Sequence, residues 1–308
     1  KKNKNGSLNI TKTKKQFFLW FKIHQKWLKE EIKLSKNFDF FISDFVPEAF
    51  ELGERLNIKC FGVCHFTWDW FYKKILKSED KIYKKLKYLI NKSTKIYFPP
   101  LTSKDIIRKY RHKLHIVNFI LSDFEFNKFK KSKKNTIKRC LIMDNGNQTL
   151  RSLIIKTIPY LKYIKNIEFF IRTDLLDEKS KKIVSESKNL VPVIGLKKTH
   201  SKILECDFIV ARGGYNTISE CLVLKKPSIL YDERNNPEIY YNLKTVNNLQ
   251  LCDLLKTKNW KKNFKTKINK FLKYEFKNIE KKFKFKKFKN TGSKEIVNDI
   301  LKVIKKND

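Results

Sequence analysis

The residues best suited to chemistry lie between Asp207 and Asn242, DFIVARGGYNTISECLVLKKPSILYDERNNPEIYYN. Arg212 supplies a fixed cation, and Gly213 and Gly214 are the only adjacent glycines in the chain. Paired glycines let a chain turn sharply and let its backbone approach a ligand closely. Thr217 and Glu220 have the S/T-x-x-E spacing of a helix-capping box. Free backbone N–H groups and the dipole at a helix N-terminus favour an anion. A carboxylate such as Glu220 can instead accept two hydrogen bonds from a diol. Thr217 reads as a cap or as a phosphate donor, and Arg212 as a diphosphate ligand or as half of a surface ion pair. Glu238 and Asn242 are four residues apart and share one helix face. A second polar cluster, Asp144-Asn145-Gly146-Asn147-Gln148-Thr149, follows an apolar run. Asparagine tolerates left-handed backbone angles better than most residues, so Asn145 and Asn147 can stand in for glycine. Asp44 and His65 each follow a short apolar run. For His65, packing at a sheet edge competes with a catalytic role.

These residues need strands that end at a common edge and helices that start there. Phe208 to Ala211 is too short an apolar run for a helix and suits a buried parallel strand. A strand over Pro227 to Tyr231 and a helix from about Pro237 follow it. Upstream, Ile137 to Met143 reads as a strand and the residues to about Tyr163 as a helix. Ile167 to Ile171 and Val191 to Ile194 read as strands flanking another helix, and His200 to Glu205 as a short helix. In the first half, residues 1 to 15 are polar and lysine-rich and read as disordered. Phe17 to Leu34 reads as an amphipathic helix burying Phe17, Trp20, Phe21, Trp27, Leu28 and Ile32. Strands over Phe38 to Ser43 and Ile58 to Cys64 flank a helix starting at Pro47, a good first-turn residue. Asp80 to Asn91 reads as a lysine-rich helix, Tyr97-Phe98-Pro99-Pro100 as an irregular turn, and Ile116 to Leu121 as the last strand of this half. The charged segment Phe124 to Thr136 reads as a connection, giving domains over 1–128 and 129–308. Strands alternating with helices predict an α/β fold with parallel sheets. A final helix is expected over Lys294 to Ile304.

The stretch from Asp207 resembles the donor-binding region of GT-B glycosyltransferases, and most closely the C-terminal domain of glycosyltransferase family 28. There an acidic residue and an apolar strand run into R-x-G-x-x-T-h-x-E, then G-x-P with a strand, then Q-x-x-x-N. The counterparts are Asp207, Arg212, Gly214, Thr217, Glu220, Pro227, Glu238 and Asn242. The resemblance implies two Rossmann-like domains and a nucleotide diphosphate sugar donor, UDP-linked, with no metal or other cofactor. It implies that Glu220 binds the ribose hydroxyls, that Arg212 with Gly213 and Gly214 meets the diphosphate, and that Asn145, Gly146 and Asn147 face the donor phosphates. Gln148 and Arg151 sit where family members often carry the same types. Gly195-Leu196 falls where family backbone contacts the base, although glycine at a strand end is also a plain turn residue. The family uses glutamine where Glu238 stands, so sugar preference is expected to differ. The family's acceptor-side base belongs to the N-terminal domain, where Asp44 and His65 are the candidates. Its first strand and glycine-rich loop have no counterpart upstream of Phe17. The chain is therefore expected to bind donor but to transfer sugar poorly without a further segment or partner subunit.

Composition bounds the alternatives. The 308 residues include 70 Lys and Arg against 31 Asp and Glu, a net charge of +39, and 41% are hydrophobic. Such charge suits nucleic acid or an anionic membrane. Arginine is sparse, however, and lysine, asparagine, isoleucine and phenylalanine abound, which fits an AT-rich coding bias. Specific nucleic-acid readers favour arginine, so none is expected as a partner. Residues 257 to 289 interleave lysines with aromatics and read either as a membrane patch or as a solvated helix with its aromatic side on the domain. The six cysteines include no C-x-x-C pair, which predicts reduced thiols in a cytoplasmic-type compartment. Cys60, Cys64 and His65 do not follow zinc spacing. The runner-up to a transferase is a non-catalytic donor-binding subunit, or a basic module binding nucleic acid or membrane.

Overall fold

In the computed structural model, the described residues are 8–121, 137–174, 176–195, 202–256, 258–273 and 289–305. The chain divides into two compact units, and the last segment, from Lys289, belongs to the first unit together with residues 8–120. The domain expected over 129–308 had included that segment.

The first unit holds helix α1 (Ile10–Leu34), strand β1 (Phe40–Ser43), α2 (Pro47–Leu56), β2 (Lys59–Val63), α3 (Trp68–Leu76), α4 (Lys81–Ile90), β3 (Lys95–Phe98), α5 (Lys104–Lys109) and β4 (Leu114–Ile116). Its sheet has the order β1-β2-β3-β4, all parallel. Three expectations need correction. The first helix begins at Ile10, within the segment read as disordered, because the Asn9 side chain accepts from Lys12 N and caps the first turn. Tyr97-Phe98 is not a turn but the end of β3, with Ile96, Tyr97 and Phe98 fully buried; the prolines terminate the strand rather than exclude it. The last strand is Leu114–Ile116, not Ile116 to Leu121. Beyond it, Asn118 N and Nδ2 donate to Glu295 at 2.9 and 2.6 Å, and Phe119 N bonds Lys289 O. The backbone that would continue the ladder is thus engaged by the C-terminal segment. That segment carries the final helix (Gly292–Lys305), tied to the sheet by Lys95 and Tyr97 on Asp299 at 2.6 and 2.7 Å.

The second unit holds β5 (Lys138–Ile142), α6 (Gln148–Leu161), β6 (Ile167–Arg172), α7 (Glu178–Ser185), β7 (Leu190–Val193), β8 (Phe208–Arg212), α8 (Tyr215–Val223), β9 (Ser228–Tyr231), α9 (Pro237–Asn248), β10 (Asp253–Leu255) and α10 (Trp260–Lys273). The final helix is α11. Six parallel strands run in the order β10-β9-β8-β5-β6-β7. Each strand is a short apolar run because helices cover both faces; Cys140, Phe169, Ile209 and Ile229 are fully buried. Trp260, Phe264 and Ile268 of α10 enter this core. In the described part of the basic 257–289 stretch, the aromatic side therefore packs on the domain. Phe283, Phe285 and Phe288 lie outside the described residues, as does the whole of the expected connection, 124–136.

Candidate nucleotide-sugar site

The second sheet changes direction between β5 and β8. From β5 the chain winds outward to β6 and β7, then returns to the other side of β5 and winds to β9 and β10. Loops leaving β5 and β8 therefore part in opposite directions, and a crevice opens at the carboxyl ends of these two strands. The strands pair through Cys140↔Phe208, Leu141↔Ile209 and Ile142↔Val210, and Met143 N continues the ladder to Val210 O. Two helix N-termini, those of α6 and α8, follow at this edge.

The turn after β5 is built on left-handed angles. Asn145 has φ 48° and Gly146 φ 72°, so asparagine fills one glycine position as expected, but Asn147, at φ −93°, does not take the left-handed conformation and serves as a helix cap instead. Asp144 Oδ1 accepts from Gly146 N at 2.9 Å, and its other oxygen pairs with Arg151. Asn147 caps α6, its Oδ1 accepting from Leu150 N at 2.9 Å. Asn145 Nδ2 donates to Thr217 Oγ1 at 2.5 Å, and Asn147 Nδ2 to Glu233 Oε2 at 3.2 Å. The turn is thus bonded both to α8 and to the loop after β9.

Thr217 and Glu220 do not form a capping box. The N-cap is Gly214, without a side-chain bond, and Thr217 sits in the first turn of α8 with Glu220 one turn further on. Both are buried, Glu220 to 4% exposure. The glycines also act differently from expectation, since neither has positive φ. Gly213 is needed for packing: a Cβ there would lie 2.4 Å from Leu243 Cδ2. Around Gly214 a Cβ would meet nothing within 4 Å, so the helix start stands open at this point.

Arg212 ends β8 in a buried ion pair rather than a surface one. Its Nε and Nη2 donate to the two carboxylate oxygens of Glu233 at 2.7 and 3.0 Å. Glu233 and Asp144 are the organising acids that sequence reasoning missed. Glu233 lies in the short loop between β9 and α9, and nothing in its spacing marks it as the partner of Arg212. Glu238 and Asn242 do share α9, where Asn236 caps the helix by accepting from Glu238 N at 3.0 Å. Asn242 is 2% exposed, and its Nδ2 has no hydrogen-bond partner among the described residues. Gly195 takes φ 80° after β7; Leu196 lies outside the described residues. A cavity of about 350 Å³ adjoins the crevice, lined by Asn147, Thr149, the loop Tyr231 to Asn235, Lys256 and Lys258.

In the first unit, Asp44 and His65 follow β1 and β2, which run side by side with Ser43 opposite Gly62. They stand at one edge of that sheet. Asp44 is exposed and precedes Phe45, a buried aromatic held at φ 50°. A bulky residue at positive φ is strained. Phe45 is fixed by its ring against Phe50, centroids 5.4 Å apart, and by Trp68 Nε1 donating to its carbonyl at 2.9 Å. His65 is half-buried with its ring edge-on to Phe66. All six cysteines are buried free thiols, and burial pushes Cys60 up to about 12. Among the described residues, no group of three or more His, Cys, Asp or Glu is placed to hold a metal ion. None of the described helices is long and apolar enough to cross a membrane.

Comparison with solved structures gives MurG of Acinetobacter baumannii at 11% identity and TM-score 0.63, covering 92% of this chain and 78% of that one. A UDP-glucosyltransferase from Polygonum tinctorium is similar at 11% identity and TM-score 0.64, over 86% and 76% of the two chains. A UDP-N-acetylglucosamine 2-epimerase is similar at 12% identity and TM-score 0.61, over 91% and 76%. A fold shared by transferases and an epimerase does not by itself name a reaction. No match is found among curated proteins. The family model for the glycosyltransferase family 28 C-terminal domain matches residues 145–300. That match spans half of the chain, from the Asn145 turn through the whole β8 to β10 half of the second sheet, and the fold is that of GT-B proteins: the chain belongs to glycosyltransferase family 28.

Proposed function

We propose that the second unit binds a UDP-sugar at the β5/β8 crevice and that the protein transfers its sugar to an acceptor hydroxyl. One observation carries this reading: the left-handed Asn145-Gly146 turn and the open N-terminus of α8 are joined at the strand reversal by the Asn145–Thr217 bond. Backbone N–H groups of α6 and α8 then meet the diphosphate. Arg212 and Glu233 neutralise each other, so the helix N-termini rather than a free arginine stabilise the departing diphosphate. Glu220 takes the ribose diol, and Glu238 and Asn242 take sugar hydroxyls. Glutamate at 238 accepts but does not donate, which favours a sugar whose hydroxyl donates there. The acceptor oxygen bonds to the anomeric carbon, the bond to the diphosphate breaks, UDP leaves with the electron pair, and the acceptor proton passes to a base. Asp44 and His65 are the candidates for that base.

Calorimetry with UDP tests the donor site. Gly214→Ala places a methyl in open space at the α8 N-terminus, so it should keep the fold and weaken UDP about tenfold, or about 1.4 kcal/mol. Glu220→Ala should weaken it further, and Lys179→Ala on exposed α7 should change nothing. Equal affinity in all three would sink the assignment. Transfer from a radiolabelled donor, lost in Asp44→Asn or in His65→Ala, would identify the base.

A further inference from the structure

A cavity of about 580 Å³ in the first unit lies between α1, α4 and the first turns of α2 and α3. Phe17, Trp20, Trp68, Pro47 and Leu86 give it an apolar wall, and Glu48 is the one carboxylate on that wall. The wall is fixed from within. Phe17 lies edge-on to Trp68 and Tyr72, with centroids 6.3 and 4.9 Å apart, Trp20 donates to Glu48, and Trp68 Nε1 donates to the Phe45 carbonyl. Neighbouring rings of this basic unit are capped by lysines: Lys14 over Phe18, Lys81 over Phe21, Lys74 over Trp70 and Lys109 over Tyr83. Among the described residues, none lies over Phe17, Trp20 or Trp68. The acids of α2 differ in the same way. Glu51 holds His24, Arg55 and Lys85, whereas Glu48 pairs with no cation among the described residues. Burial, with the nearby charge of Glu51, pushes the Glu48 carboxyl above its ordinary range against the pull of its own backbone N–H, the response of an acid that lacks a cationic partner.

We propose that this cavity binds a small organic ammonium ion, with the cation among Phe17, Trp20, Trp68 and Glu48 and an apolar body against Pro47 and Leu86. Aromatic faces attract alkylammonium ions, and a carboxylate beside them completes the charge. The volume falls in the range of small-molecule sites. A metal ion does not fit, since a single carboxylate lines the cavity and no group of three or more ligating side chains is placed to hold one among the described residues. An anion does not fit either. Trp20, Trp68 and Thr13 already donate within the chain, which leaves only the Gln16 amide as a side-chain donor on the wall. The site belongs wholly to the first unit and does not rest on the donor reading of the second.

Calorimetry on the full chain with 4-(trimethylammonio)phenol and with 4-tert-butylphenol tests this. The two probes share shape and hydroxyl and differ in charge. The ammonium should bind roughly tenfold more tightly than its neutral isostere. Glu48→Gln keeps an acceptor for the Trp20 N–H and removes the charge, so it should erase most of that preference while leaving the affinity for the neutral phenol unchanged. Phe17→Leu keeps an apolar wall without the ring and should weaken the ammonium about threefold. Unfolding midpoints of both variants show whether the fold is kept. The comparison of the two probes on the wild-type chain reads the charge preference even if a variant unfolds. Equal affinity for the two probes, no binding of either, or the full wild-type preference in a folded Glu48→Gln would each overturn the proposal.

Discussion

The two sheets share parallel strands and flanking helices, yet they treat their carboxyl edges differently. In the second unit the strand order reverses between β5 and β8, and a crevice with two helix N-termini results. In the first unit β1 to β4 progress in one direction without reversal among the described strands. Its edge offers single side chains instead, Asp44 and His65, on loops held by aromatic packing. Topology alone can therefore bring two helix N-termini to one crevice, the arrangement on which the proposed donor site rests. Where it does not, individual residues must be positioned by strain and packing, as the Phe45 backbone shows.

The same contrast extends to buried charge, and mutation can break it. Glu233 holds Arg212 where the two side chains are 6% and 12% exposed. Glu233→Ala would leave a buried guanidinium without its partner and free the Asn147 amide; a loss of about 3–5 kcal/mol is expected. Glu51 of the first unit is buried as well, held by His24, Arg55 and Lys85. There the Arg55 and Lys85 side chains are 46% and 22% exposed and can turn to water. Glu51→Ala should therefore cost less, about 1–3 kcal/mol. Urea unfolding of both variants checks the order, and a larger loss for Glu51→Ala would contradict it.

Glycine packing gives a finer version. At Gly292 an added Cβ would lie 2.2 Å from the Asn118 carbonyl, a backbone atom. At Gly213 it would meet the Leu243 side chain at 2.4 Å. Backbone cannot yield as a leucine can, so Gly292→Ala should cost about 3 kcal/mol and Gly213→Ala nearer 1. Equal unfolding midpoints would show that α11 shifts freely on its unit.

Much of this contrast was legible in the residues. The apolar run at Phe208, the turn at Asn145 and the helix at Pro237 each carry a local signal, since strand length, left-handed tolerance and proline at a first turn are properties of neighbours in sequence. Glu233 was not legible as a partner of Arg212, because their pairing is made by the adjacency of β8 and β9. Thr217 and Glu220 misled for the related reason that Gly214 starts the helix one turn earlier. β3 was hidden by the two prolines that follow it. The C-terminal helix was visible as a helix, while its attachment through Asp299 and Glu295 to residues about 180 to 200 positions earlier was not.

The smallest effect concerns His24, at the centre of the first unit's buried cluster. Its ring is 3% exposed and Nε2–H donates to the Glu51 carboxylate, while Nδ1 has no partner among the described residues. Burial lowers its pKa below 6.5, outweighing the pull of Glu51, while Lys85 and Arg55 oppose its charge. An unfolded histidine protonates near about 6.5. As pH falls through that value the unfolded chain therefore takes up a proton that the native chain resists, and stability declines. One proton sets a ceiling of roughly 1.4 kcal/mol per pH unit. His24→Gln keeps a group able to bond Glu51 but cannot titrate, so it should flatten the decline between pH 7.5 and 5.5 (roughly the window of histidine titration). Below it, Glu51, lowered from 4.5 to about 2 by its cationic partners despite burial, should dominate. Its stabilisation is complete above 4.5 and lost as pH falls toward 2, in wild type and variant alike. Unfolding midpoints measured across both windows separate the two groups. A variant with the wild-type slope in the upper window would show that His24 takes up its proton equally in the native and unfolded chains, and a wild type that gains stability as pH falls there would show that the native cluster is already protonated.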